Sequence, residues 1–130
     1  MPVFPNSSRH VFTLPGLRHQ TLASRSDDLE RLEVWMQTLE PGAETPIHYH
    51  ECEEVVVIQK GSGRATIAGS TVEFGPGSTL VIPPRLVHQL VNSGWEEMFA
   101  IAALSETPAR AFAADGAVIA LPWQVPARAS

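Results

Sequence analysis

What the chain has little of narrows its function first. A single cysteine, Cys52, rules out an intramolecular disulfide and fits a reducing compartment. Lys60 is the only lysine, the nine basic residues are scattered, and the net charge is -5. Phosphate contacts need clustered Lys and Arg, so no nucleic-acid partner is expected. No apolar run approaches the roughly 18 residues of a membrane span. The opening MPVFPNSSRH carries no hydrophobic signal core. The expectation is a cytoplasmic protein without a membrane partner. The sequence also contains no phosphate loop, no dinucleotide fingerprint, no Ser/His/Asp order, no internal repeat and no low-complexity block.

What is present reads as strands. The length of 130 residues and the 44% hydrophobic content suit one domain, 1–130, with a real core. Residues 1–10 are Pro- and Ser-rich and read as a loose arm. VFTL and LRHQTLA are strand candidates parted by Pro15-Gly16, and SRSDD is a turn. The run LEVWMQTL, 32–39, is read as a strand ending at Pro41-Gly42. EEVVVIQ is rich in β-branched residues and meets Gly61-Ser62-Gly63, read as a hairpin turn. RATIA, Gly69-Ser70 and TVEF form a second hairpin. STLVI, VHQLV and WEEMFAIAAL follow, with turns at Gly75-Pro76-Gly77 and Asn92-Ser93-Gly94. Residues 105–116, rich in Ala and Pro, read as a connection with a short helical turn. GAVIALPW is a last strand anchored by Trp123. Turns every 8–12 residues indicate an all-β barrel or sandwich.

Chemistry concentrates in His48, His50, Glu54 and His88. Three imidazoles and a carboxylate each offer a lone pair near neutral pH, a strong metal-ligand inventory. On an extended strand His48 and His50 share a side and lie roughly 6.5 Å apart. A continuing strand would carry Glu54 about 13 Å beyond His50. The chain must therefore turn near Glu51-Cys52-Glu53, and Glu54 must come from the next strand. A site drawn from distant strands suits the inside of a barrel.

The wider spacing repeats a known pattern. Gly42 is followed by five residues, His48-Tyr49-His50, three residues, Glu54, six residues and Gly61. Gly77 is followed by five residues, Pro83-Pro84-Arg85, two residues, His88, three residues and Asn92. These two stretches, 42–61 and 77–92, closely resemble the two motifs of the cupin superfamily. Only Arg85 departs, standing where a glycine is usual. The resemblance implies a double-stranded β-helix, the RmlC-like jelly-roll barrel. It also implies that His48, His50, Glu54 and His88 bind one divalent ion per chain, whether Fe, Mn, Ni, Zn or Cu. Small cupins of this kind are often homodimers that exchange or pair N-terminal strands.

Other residues admit two readings each. Glu53 could replace Glu54 as ligand, but the phase of EEVVVIQ pairs Glu54 with Val56 and Ile58 and turns Glu53 outward. Cys52 is either a thiolate ligand or a small turn residue. Gln37 either faces the cavity or lies on the solvent side of its strand. Arg85 either anchors a substrate carboxylate or sits on a surface loop. Trp35, Trp95, Trp123 and Phe99 read as core rather than ligand platform, although Trp35 could border a substrate. His10 and His19 read as surface residues. Tyr49 should point away from the ion.

Three neutral imidazoles and one carboxylate would leave a divalent ion positively charged, with open positions. The leading expectation is a metal-dependent enzyme acting on a small organic acid, with a dioxygenase foremost and isomerases, decarboxylases or lyases behind it. Glu51, Glu53 or Gln37 could assist proton transfer. The alternative is a binding module that holds an ion and a small molecule without turnover. A metal-free sugar-modifying cupin ranks last, because the ligand set is complete.

Overall fold

A computed structural model describes residues 3–126. Eleven strands follow one another among the described residues: β1 Phe12–Leu14, β2 Leu17–Ala23, β3 Glu33–Leu39, β4 Glu54–Lys60, β5 Gly63–Ile67, β6 Ser70–Phe74, β7 Ser78–Ile82, β8 His88–Val91, β9 Met98–Leu104, β10 Ala111–Phe112 and β11 Val118–Ile119. Two short 3-10 turns, Asn6–Ser8 and Arg25–Asp27, are the only helical pieces among the described residues. No helix there is long and apolar enough to cross a membrane. Of the N-terminal arm, residues 3–10 are described and 1–2 lie outside. The Gln20 side chain donates to the carbonyls of Asn6 and Arg9 and ties this stretch to β2.

The strands form an antiparallel sheet in the order β1-β2-β3-β9-β4-β7 and a second in the order β6-β5-β8. Isolated bridges extend the second sheet. Glu44 pairs with Val91 and His48 with His88, while Tyr49 pairs with Phe112, the end of the β10–β11 pair. This is the anticipated jelly-roll barrel, with the core between the sheets.

Alternation puts the apolar side chains inside. On β4, Glu54, Val56 and Ile58 are buried while Val55 and Val57 face out. On β9, Met98, Ala100, Ala102 and Leu104 point inward. Two alanines on the central strand leave room that larger side chains would fill. Trp35 registers against Ala102, and Gln37 against Ala100. The hollow of the barrel follows from that large-against-small pairing.

Several expectations need correction. Gly61-Ser62-Gly63 is not a hairpin: β4 and β5 belong to different sheets, so the stretch is a crossover. Its glycines are needed for close approach. A Cβ on Gly63 would fall 2.3 Å from the Val91 carbonyl, and one on Gly61, at φ +85°, 2.8 Å from the Met98 Cα. Residues 105–116 contain no helical turn. They carry β10, because Tyr49 offers its backbone as a ladder partner, with N–H to O=C distances of 2.8 and 2.9 Å in the two directions. The last strand shrinks to Val118–Ile119. Trp95 is not core but fully exposed at the tip of the β8–β9 turn. His10 is exposed as expected, whereas His19 is completely buried.

Candidate metal centre

The three motif histidines converge. Each offers a ring nitrogen within 4.8 Å of those of the other two. His48 and His88 face each other through their backbone bridge, with ring centroids 4.3 Å apart. His50 precedes the bend at Glu51-Cys52, and Glu54 opens β4 on the other side of it. Glu54 Oε1 lies 3.5 Å from His50 Nε2 and 3.2 Å from His88 Nε2. Glu53 is exposed, as the strand phase requires.

Each ring is aimed by a backbone carbonyl. His48 Nδ1 meets Pro46 O at 2.6 Å, His50 Nδ1 meets Arg110 O at 2.7 Å, and His88 Nδ1 meets Leu86 O at 2.8 Å. A carbonyl only accepts, so each Nδ1 carries the proton. In a neutral ring Nε2 then presents a bare lone pair, the tautomer a metal ligand needs. His50 Nε2 and Glu54 Oε1 are buried and make no hydrogen bond. Lone pairs and a carboxylate facing one another repel unless a proton or a cation lies between them.

The titration behaviour follows. Burial, reinforced by His88, pushes His48 down to about 4. Burial also pushes the Glu54 carboxyl up, but contact with His88 and the fields of His50 and His48 outweigh it, leaving it below its ordinary value. Burial lowers His88, yet the Glu54 carboxylate more than compensates and raises it. Without an ion, a proton held between Glu54 and His88 relieves the cluster. With one, the ion takes the proton's place. The donor set thus fits a metal ion, and the three histidines could hold it.

The cluster opens into a cavity of about 150 Å³ inside the barrel. Its walls are largely apolar, including Leu17, Leu39, Val56, Leu90 and Met98 on the barrel side and Ile119 to Trp123 from the end of the described chain. Trp35 and Trp123 both border it. Gln37 lines it too, which settles the choice between cavity and solvent side. Arg85 does not line it: its side chain is 70% exposed and lies 3.6 Å from Glu51. Its backbone explains the family's usual glycine, for φ is +65°. Cys52 is a buried turn residue whose thiol is pushed up to about 11, chiefly by burial and then by Glu106. It stands outside the histidine group. Tyr49 turns away from the centre and stacks on Phe112.

One residue that the sequence reading passed over, Glu33, and one that it placed on the surface, His19, pack beside this centre. Glu33, at the start of β3, is 1% exposed. Its carboxylate accepts from Trp35 Nε1 at 2.6 Å, Thr107 Oγ1 at 2.8 Å and Ala109 N at 3.3 Å. It pins the segment whose next carbonyl, that of Arg110, aims His50. His19 stacks on Trp123, with centroids 3.8 Å apart and planes at 11°, and meets Trp35 edge-on. Its place two residues after inward-facing Leu17 was the available signal.

The family model described as auxin binding protein matches residues 4–129. Auxin-binding protein 1 of Arabidopsis thaliana is 41% identical over 108 residues, 75% of this chain and 54% of that protein. Auxin-binding protein T85 of Nicotiana tabacum is 37% identical over 123 residues, covering 85% and 63% respectively. The chain thus spans a little over half to under two thirds of the length of these curated relatives. Among solved structures, an RmlC-like cupin from Shewanella frigidimarina superposes with a TM-score of 0.70 at 19% identity, covering 80% of this chain and 89% of that one.

Proposed function

This chain belongs to the auxin-binding protein family, a germin-like branch of the cupins, and on that footing we propose that it is a metal-dependent binding protein for a small apolar carboxylate. His48, His50 and His88 would hold one divalent ion, with Glu54 as the anionic fourth ligand. When bound, the ion supplies a positive anchor for the ligand's carboxylate. The rest of the ligand would lie against the apolar walls. The observation that carries this reading is what the cavity lacks. Apart from the four proposed ligand residues, no titratable side chain among the described residues is found in its lining. Of the sequence candidates for proton transfer, Glu51 and Glu53 are not part of that lining, and Gln37, which is, carries no titratable group. A site without a free acid or base is better suited to holding a ligand than to isomerising or decarboxylating it. The names of the relatives support a small-molecule ligand, and the cavity volume suits one ring-sized group.

A homodimer is the assembly we favour. Val55 and Val81 are register partners and Val57 is their neighbour, all exposed on the outer face of the larger sheet. That apolar strip would be covered by a second copy.

The test combines elemental analysis with calorimetry. Protein prepared without chelator should carry close to one divalent ion per chain, and His50→Ala should lose most of it. Arylacetates should bind the loaded protein and not the stripped protein, and should be recovered unchanged. A chain that stays metal-free after reconstitution with iron, manganese, nickel, zinc and copper would end the metal reading. Oxygen uptake with consumption of the ligand would return the chain to the enzymes.

A further inference from the structure

The segment that closes the cavity is tied down at very few points. Apart from one bridge to Tyr49, β10 and β11 pair only with each other, in a two-stranded sheet of their own. A turn held by Ala113, Asp115 and Gly116 joins them. Beyond it Ile119 to Trp123 form one wall of the cavity. Between Arg110 and Trp123, every hydrogen bond to residues before Ser105 lands on Tyr49 or His50, among the described residues. The Tyr49 and Phe112 backbones exchange two bonds, and the Arg110 carbonyl accepts from His50 Nδ1 at 2.7 Å. The Phe112 ring reinforces this junction by stacking on Tyr49, with centroids 5.3 Å apart and planes at 19°. The far end of the segment is anchored by the stack of Trp123 on His19.

The same junction serves His50 from the other side. His50 Nε2 is buried and makes no hydrogen bond, so the only one that holds the ring is Nδ1–H to the Arg110 carbonyl. That carbonyl immediately precedes β10, and Arg110 is held from both directions. Glu33 fastens the residue before it, Ala109, and Tyr49 fastens Phe112 after it. The direction of the Nε2 lone pair therefore depends on where the hairpin sits. A displaced hairpin would leave the His50 ring with packing against its neighbours and no hydrogen bond to aim it. An ion on Nε2 would in turn draw charge from the ring and strengthen the Nδ1–H bond that ties the hairpin down. Seating the hairpin and filling the site thus favour each other.

We infer that Phe112 is a positioning residue for His50, and that ion binding and closure of the β10–β11 hairpin over the cavity are one coupled equilibrium. This rests on the metal-dependent binding proposed above and adds an order to it. The ion comes first, and the wall against which a small molecule lies is complete only afterwards. Linkage makes the coupling reciprocal, so whatever loosens the hairpin weakens the ion by the same factor.

The experiment takes the full chain, strips it with chelator and titrates it with zinc, which this donor set favours over manganese or iron. Hydrogen exchange is followed by mass spectrometry on peptides covering 110–119 and 63–74. Zinc should slow exchange in the first about tenfold and leave the second, the β5–β6 hairpin, unchanged. Zinc affinity is then measured by chelator competition. Phe112→Ala removes the stack without touching a proposed ligand and should weaken zinc about tenfold, while Phe112→Tyr should restore it to within about twofold. Phe74→Ala takes a ring of the same size from β6 and should leave zinc affinity unchanged, which separates loss of aim from general loosening of the barrel. Exchange in 110–119 that ignores bound zinc, undiminished affinity in Phe112→Ala, or an equal loss in Phe74→Ala would overturn the inference and leave the metal site standing. If Phe112→Ala does not fold, the exchange comparison on the unmodified chain decides alone. A chain that takes up no zinc would remove the proposed metal site and this inference with it.

Discussion

Acidifying the solution should destabilise this chain through one buried ring. His19 titrates at about 3 when folded because burial disfavours its charged form, against 6.5 when exposed. Its folded value is depressed, so the unfolded chain binds the extra proton between those limits. Stability is therefore fully present above pH 6.5 and is lost progressively as the pH falls toward 3. At pH 5 the loss from this ring alone is about 2 kcal/mol relative to neutral pH. For a domain of this size that is a shift of about 8 °C in Tm. Urea denaturation at pH 7.5 and 5.0, on chelator-treated protein, measures the loss. His48, lowered to about 4, adds to it in the metal-free chain. The contribution of His19 is isolated by repeating the pair of measurements on His19→Phe. That variant can carry its own offset from losing the hydrogen bonds of His19 to Gln37 and Thr21, but its loss between the two pH values should be smaller by about 2 kcal/mol. An unchanged pH dependence in the variant would show that His19 does not titrate as its burial requires.

Three further outcomes follow from other positions. Glu33→Ala strands the donors of Trp35, Thr107 and Ala109, so it should cost about 3 kcal/mol or more in a denaturant titration and lower metal occupancy as the Arg110 carbonyl loosens. Unaltered stability would mean those donors find water instead. Arg85→Gly relieves a left-handed backbone and gives up only an exposed contact with Glu51. It should therefore gain about 1 kcal/mol, and a clear loss of Tm would contradict this. Cys52, at about 11, should be thiolate in roughly one part in a thousand at pH 8. A disulfide reagent should then label it slowly in the folded chain and rapidly in urea, and equal rates would refute its burial.

The histidines that converge at the candidate centre and the inward phase of β4 were legible because motif spacing and strand alternation carry them. Glu54, Val56 and Ile58 alternate without interruption, so the two-residue period assigns their side directly. Strand partnership was less legible. Alternation says which side a residue faces but not which strand lies beside it, so β4 and β5 read as a hairpin across Gly61–Gly63. The steric demand of crossing between sheets is visible only once Val91 and Met98 are in place. Trp95 was misplaced because its size suggested burial, while the turn at Asn92-Ser93-Gly94 carries it clear of both sheets. His19 was misplaced because it stands among Arg18, Gln20 and Thr21, a polar run that masks its inward phase, and nothing local announces the stacking partner that arrives at position 123. The Ala- and Pro-rich stretch suggested a helical turn, but the free backbone of Tyr49 recruits it as β10.

The four residues of the proposed metal site all fall between positions 48 and 88, whereas the indole and apolar side chains that complete the cavity wall come from 119–123. During synthesis the ion-binding half would leave the ribosome well before the wall that encloses it. The coordinating cluster would then stand open to solvent while the last strands were still being made, a period when an ion could enter without passing through a finished barrel. Once Trp123 seats on His19 that route narrows. Exchange of an ion held at the proposed site should therefore be governed by how often the 119–123 segment lifts, rather than by the strength of the ligands alone.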